Sequence, residues 1–171
     1  MTPAVPQGLG ALIRADHARF RELAGQPAEG RVWRAFLHPR VAPVAWFRVA
    51  QWLHGRELRP LAGLVSLFVL MVFKVEIPAR AVIGPGFVLP HPMGIVIGSA
   101  AIGANVTVFQ NVTLGAREFD GAYDLGKRPV IADGVIIGAG AVVLGPVRIG
   151  RGVTVRANAL ITRDMPEAQD D

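Results

Sequence analysis

Thirteen aliphatic residues of this 171-residue chain share one six-residue spacing. The first block is Ile77, Ile83, Leu89 and Ile95. After a one-residue slip come Ile102, Val108 and Leu114. After a longer break the series is Ile131, Ile137, Val143, Ile149, Val155 and Ile161. A helix repeats its apolar positions about every 3.6 residues and a half-buried strand every second one, so neither produces this pattern. A period of six marks a parallel β-helix, in which each hexad is one short flat side and three hexads close a triangular coil. The aliphatic residue points into the prism. Small residues make the tight corners, and glycine follows the rung at Ile83, Ile102, Leu114, Ile137 and Ile149.

Composition agrees with an aliphatic column stacked coil on coil. The chain is 51% hydrophobic but 7% aromatic and 18% charged, with 22 Val, 11 Ile and no cysteine. Those values exclude a disordered chain, a disulfide framework, a thiolate metal site and a cysteine nucleophile. No metal site is expected. The net charge of +5 comes from 16 Arg and 2 Lys against 13 acidic residues. The basic residues form no run and no basic-aromatic patch, so no nucleic-acid partner is expected.

Residues 11–74 read as an α-helical segment that covers one end of the stack. Leu12 to Ala24 has helical spacing and stops at Gly25. Arg31 to Leu37 is a short helical candidate, and Val44 to His54 is a further helix. Leu58 to Phe73 is the third clear helix, with Pro60 in its first turn. Its stretch Leu61 to Phe73 is 13 residues without a charge. A membrane-spanning helix needs about 20 apolar residues. The expectation is therefore a buried or oligomer-facing helix, with peripheral membrane contact as the alternative. Residues 1–10 are expected to be disordered; they lack a basic start followed by an apolar run, so a cytoplasmic location is expected. Residues 75–166 form the repeat domain and 167–171 a C-terminal tail.

Two irregularities interrupt the ladder. The step from Ile95 to Ile102 is seven residues, and that from Leu114 to Ile131 is seventeen. The second excess is a protruding loop, 115–129, carrying Arg117, Glu118, Asp120, Asp124, Lys127 and Arg128. A charged loop on a rigid scaffold suits ligand contact. Of four histidines, His17, His38 and His54 sit in or beside helices and read as packing or surface residues. His91 is the single histidine of the repeat region, held between Pro90 and Pro92. Prolines stiffen that corner, and imidazole is the usual general base near neutral pH. Glu76 lies fifteen residues earlier, nearly one coil. A carboxylate on the neighbouring rung would hold the ring in one tautomer. A corner histidine without a role is the alternative.

The stretches VEIPARAVIGPGFVLPHPMGIVIG, VTVFQNVTLG, GKRPVI and VIIGAGAVVLGPVRIG resemble the hexapeptide-repeat acyltransferases, and among them the serine acetyltransferases. The helical lead-in is similar too, so the resemblance spans about residues 11–166. It implies a mainly β fold, a left-handed parallel β-helix after an α-helical segment, assembled as a homotrimer or a dimer of trimers with active sites between adjacent prisms. It implies acetyl transfer from acetyl-CoA, as co-substrate, to a hydroxyl. The catalytic pair falls on His91 and Glu76, with backbone N–H groups at tight turns meeting the oxyanion. Lys127 and Arg128 match substrate-binding positions. Gly115, Ala139 and Ala157 match places where pantetheine runs along the backbone, and Arg156, with Arg148, Arg151 and Arg163, is in reach of the phosphates.

Three departures concern the acceptor. Pro90 replaces the aspartate that usually precedes the catalytic histidine, Pro78 stands where histidine is common, and Lys127-Arg128-Pro129 lacks the usual histidine. The Pro-His-Pro form resembles relatives that acetylate sugars during polysaccharide assembly. The readings are thus transfer to L-serine, transfer to a sugar or nucleotide-sugar, or, more remotely, a non-catalytic assembly module.

Overall fold

The computed structural model describes residues 8–99, 101–119 and 121–168. Its repeat region is a left-handed parallel β-helix with three faces. The first face stacks β1 (Val75–Glu76), β2 (Ile95–Ile97), β5 (Thr113–Gly115), β8 (Val142–Leu144) and β11 (Leu160–Ile161). The second stacks β3 (Ala101–Ile102), β6 (Val130–Ile131) and β9 (Arg148–Ile149). The third stacks β4 (Thr107–Val108), β7 (Ile136–Ile137) and β10 (Thr154–Val155). Every pairing is parallel and joins neighbouring coils, as in Glu76 over Val96 and Val96 over Thr113.

Twelve of the thirteen ladder positions are buried, from Ile77 at 4% exposure to Ile83, Leu89, Val108, Leu114, Ile137, Val143 and Val155 at 0%. Ile161 is half-buried in the last strand of the first face, and beyond it the described chain returns to the stack at the Met165 bridge to Ile149. The column is one continuous cluster that also takes in Val44, Phe47 and Val69 from the helices. Each fully buried aliphatic side chain contributes about 1.5–3 kcal/mol of transfer free energy.

The corners follow a left-handed backbone code. On the edge between the second and third faces, Gly86, Asn105, Gly134 and Gly152 all have positive φ. On the edge between the third and first faces the matching residues are Gly94, Asn111, Gly140 and Asn158. Glycine pays no steric penalty there, and asparagine is among the few side chains that tolerate it. The N–H of each residue after the first bonds a carbonyl of the coil before, as Asn111 N–H does to Met93 O at 2.9 Å.

The N-terminal helices are α1 (Leu9–Leu23), α2 (Ala42–Gly55) and α3 (Arg59–Phe73), with a 3-10 turn at Val32–Phe36. Helix α1 starts at Leu9, so residues 9 and 10 are helical rather than disordered; residues 1–7 of that expected segment lie outside the described residues. The helices are bolted to the first coil by charge. Arg48, fully buried, donates to Asp16 and to the carbonyls of Ile83 and Gly84 at 2.7 and 2.6 Å, while Phe87 N–H donates to Asp16 at 2.8 Å. Of the two placements expected of helix α3, burial within its own chain is not the one it adopts. Within this chain only Ala62 and Val69 are buried, and Leu61, Leu64, Leu67, Phe68, Met71 and Val72 face outward. Its composition suits burial, but α2 covers only one side of it. No helix among the described residues is long and apolar enough to cross a membrane.

Candidate active site

His91 stands exposed on the edge between the third and first faces. Its corner is tight: Met93 N–H donates back to the His91 carbonyl at 2.9 Å, and Gly94, at φ +65°, donates to Lys74 O at 3.1 Å. A Cβ on Gly94 would run into the Asn111 carboxamide, so the turn that carries His91 requires glycine. Between its prolines, the imidazole leans on Phe109 of the next coil, ring centroids 6.4 Å apart.

The same edge continues through Gln110 on the second coil, Ala139 on the third and Arg156 and Ala157 on the fourth. Rungs are about 4.8 Å apart, so the column descends about 14 Å from His91 to Arg156. Ala139 is half-buried, and Ala157 and Arg156 are exposed, so the strip below His91 is low in side-chain bulk and ends in a cation. Gln110 Oε1 is buried with no hydrogen-bond partner. A buried acceptor without a donor costs about 1–3 kcal/mol, and a ligand N–H lying along this edge would satisfy it. An extended, amide-bearing ligand with an anionic end, which is the chemistry of a pantetheine arm and its phosphates, therefore fits these residues. Of the four arginines expected near phosphates, Arg156 alone shares this edge. Arg148 is on the second face, Arg151 pairs with Glu167 at 3.3 Å and Arg163 follows the first face.

Beside His91 a cavity of about 310 Å³ opens against Pro90, Thr107 and Phe109, with Arg19 and Arg40 closing it from the helical segment. Arg19 is held by Thr107 Oγ1 at 3.2 Å, and burial pulls its pKa below the usual arginine range. Neither arginine was expected as a site residue. Their signal lies in tertiary folding: α1 crosses the prism where its chain returns to this edge.

Glu76 does not bond His91. Among the described residues no hydrogen bond or ion pair joins them. They lie on the same turn of the prism, but Glu76 is in register with Val96 on the flat first face, whereas His91 closes that turn at the corner before β2. The field of Glu76 is felt instead at Tyr123 in the protruding loop.

That loop leaves from the opposite edge, between the first and second faces. Gly115 is there, with open space where a Cβ would be. Lys127 is exposed in the 3-10 turn Leu125–Lys127, which Asp124 caps by accepting from Gly126 N–H at 2.8 Å. Arg128 is buried and donates to Gly98 O at 3.0 Å. The Tyr123 ring is sandwiched between the guanidinium carbons of Arg80 and Arg128, at 3.8 and 3.6 Å. Asp120 lies outside the described residues. The chain thus gathers His91, Ala139, Ala157 and Arg156 on one edge and Gly115, Lys127 and Arg128 on another, with Glu76 on the face between.

A left-handed coil stack with a proline-clamped corner histidine above a strip of small residues defines a hexapeptide-repeat acyltransferase architecture. The family model described as bacterial transferase hexapeptide (six repeats) matches residues 128–163. The chain is 34% identical over 157 residues to the serine acetyltransferase of Helicobacter pylori, covering 91% of this chain and 90% of that one. It is 41% identical over 133 residues to that of Mycobacterium tuberculosis, covering 77% and 56%. Apo soybean serine acetyltransferase superposes with a TM-score of 0.81 at 34% identity, covering 93% of this chain and 64% of that one. The Brucella abortus enzyme solved with coenzyme A gives 0.77 at 26%, covering 91% and 61%. The chain belongs to the serine acetyltransferase family. It spans about half the length of the Mycobacterium relative and nearly all of the Helicobacter one.

Proposed function

We propose that this chain is an acetyl-CoA-dependent O-acetyltransferase whose acceptor is L-serine. The observation that carries the reading is the single edge on which His91 stands above Gln110, Ala139, Ala157 and Arg156. Acetyl-CoA supplies the acetyl thioester. An imidazole nitrogen of His91 takes the proton of the acceptor hydroxyl as its oxygen attacks the thioester carbonyl, and returns that proton to the departing thiolate. Gln110 accepts an amide N–H of the bound arm, and Arg156 neutralises phosphate. Arg19 and Arg40 present positive charge to an acceptor carboxylate in the cavity beside Pro90. This supports serine over a neutral sugar, despite the absence of the usual aspartate and histidine.

The division of site residues between two edges supports a homotrimer. Lys127 and Arg128 stand across the first face from their own His91. In a three-fold assembly of prisms the loop of one copy meets the His91 edge of the next, and Glu76 is then a first-face carboxylate beside the shared cleft. The outward apolar side of α3, with Leu64 at 63% and Met71 at 61% exposure, supports burial against a further copy, as in a dimer of trimers. Peripheral membrane contact is the competing use of α3, and flotation with anionic liposomes separates the two.

The acceptor is tested by thiol release from acetyl-CoA with L-serine against a panel of sugars and nucleotide-sugars. Release with L-serine alone is expected. Release with saccharides alone would transfer the reading to polysaccharide modification, and release with none would leave an assembly module.

A further inference from the structure

A cavity of about 570 Å³ lies on the opposite edge of the prism from His91. The start of α1, the end of α2 and the first corner of the coil stack, Ala79–Val82, enclose it. This volume is in the range of small-molecule sites. Leu9, Leu12, Trp52 and Val82 provide an apolar wall, and no carboxylate among the described residues lines it.

Two cations face it under unusual conditions. The Arg56 guanidinium rests over the Trp52 ring at 4.6 Å, and that of Arg80 over Tyr123 at 3.8 Å. Among the described residues neither side chain makes a hydrogen bond or an ion pair. The nearby Glu57 is occupied by Arg59 at 2.8 Å. A guanidinium stacked on a ring keeps its N–H edge free and loses little further freedom when it grips a carboxylate or phosphate. Arg48 also lines the cavity, but its N–H groups are committed to Asp16, Gln51, Ile83 and Gly84.

A second, smaller cavity of about 220 Å³ adjoins the first across Arg80, Ala81 and Val82. It is lined by Ser99, whose side chain is 3% exposed and whose hydroxyl has no partner. A buried hydroxyl left unpaired beside a free guanidinium is a second, independent sign of a missing polar ligand group.

We propose that these adjoining cavities form a binding site for a small amphipathic anion, an aromatic or branched aliphatic carboxylate or phosphate. Its apolar body lies against Leu12, Trp52 and Val82. Its anionic group bridges Arg56 and Arg80 and accepts from Ser99. The site shares no residue with the His91 edge of its own chain, and through Tyr123 and Leu125 it adjoins the loop that the proposed assembly sets against the His91 edge of the next copy. Arg80 connects it to the loop, because the same guanidinium clamps Tyr123. Occupancy of the cavity and the placement of Lys127 and Arg128 are thereby linked, and linkage is reciprocal.

The test uses the full chain, 3-phenylpropionate as probe and its neutral amide as control. The readout is the indole N–H resonance of Trp52, assigned with Trp52→Phe. The carboxylate is expected to shift that resonance with a Kd on the order of 1 mM, and the amide about tenfold more weakly. Arg80→Gln is expected to weaken the probe about tenfold and Ser99→Ala about threefold, in variants with native circular dichroism. Tyr123→Ala is expected to weaken it severalfold by releasing Arg80, while Tyr123→Phe, which keeps the stack, binds as wild type. Equal binding of acid and amide, or unchanged affinity in Arg80→Gln or Ser99→Ala, would overturn the proposal. No step of the assay involves acetyl transfer, so its result is independent of the proposed activity.

Discussion

Arg48 Nε donates to Asp16 Oδ2 at 2.8 Å across 32 residues, with both side chains almost completely buried. This pair joins α1 to α2, and its remaining bonds reach the first coil. Burial pushes the Asp16 carboxyl above the usual carboxylate range, against the opposing pull of Arg48 and the Phe87 N–H. Removing one partner leaves an uncompensated charge inside the protein, at a cost of about 3–5 kcal/mol. Asp16→Asn is therefore expected to lose that much unfolding free energy in urea titration, followed by tryptophan fluorescence. A loss under about 1 kcal/mol would mean that the pair is solvated.

His17 predicts an acid limb of stability. Burial, then Arg21, His38 and Arg34, lower its pKa from the ordinary 6.5. With the folded pKa below the unfolded one, its contribution is fully present above pH 6.5 and is lost as pH falls through the folded value. The wild-type Tm is expected to drop more steeply than that of His17→Gln as pH falls below 6.5. Parallel curves would contradict the burial of this ring.

The chain contains one tyrosine, so Tyr123 reports its own environment. Burial raises its phenol pKa above 10.0, partly offset by the Arg128 and Arg80 cations and reinforced by Glu76. Absorbance near the tyrosinate band is expected to titrate with a midpoint above that of free tyrosine. A midpoint at or below the free value would place the ring in solvent and the loop away from the prism.

The proposed sharing of one site between copies makes a complementation prediction. His91→Ala and a Lys127→Ala/Arg128→Ala double variant are each expected to be inactive. Mixed assemblies refolded or co-expressed together are expected to regain part of the activity, since some interfaces then combine two intact edges. Mixtures as inactive as their parents would confine the site to one chain.

The hexad ladder was readable because an inward position in a narrow prism admits only an aliphatic side chain, whatever surrounds it. His91 was readable for a different reason: it is the single histidine of the repeat region, on an outward corner held between two prolines. The loop was announced by the excess spacing between Leu114 and Ile131. The Asp16–Arg48 bolt was not readable, since no local rule links two charges on different helices. Nor were Arg19 and Arg40, which reach the His91 corner only after α1 crosses the prism. Tyr123 was passed over because loop aromatics have no periodicity; its stack depends on Arg80 arriving from another coil. The expected Glu76–His91 contact failed on register, since fifteen residues fall short of the twenty that separate paired β1 and β2 positions such as Glu76 and Val96.

The central claim is that His91 is the general base of acetyl transfer to a hydroxyl. Its most direct test is the rate of free-thiol release from acetyl-CoA with L-serine, compared between wild type and His91→Ala at equal Tm. Loss of the base is expected to lower kcat by about 10²–10⁴, with coenzyme A affinity retained. Wild-type-like turnover in His91→Ala would contradict the account.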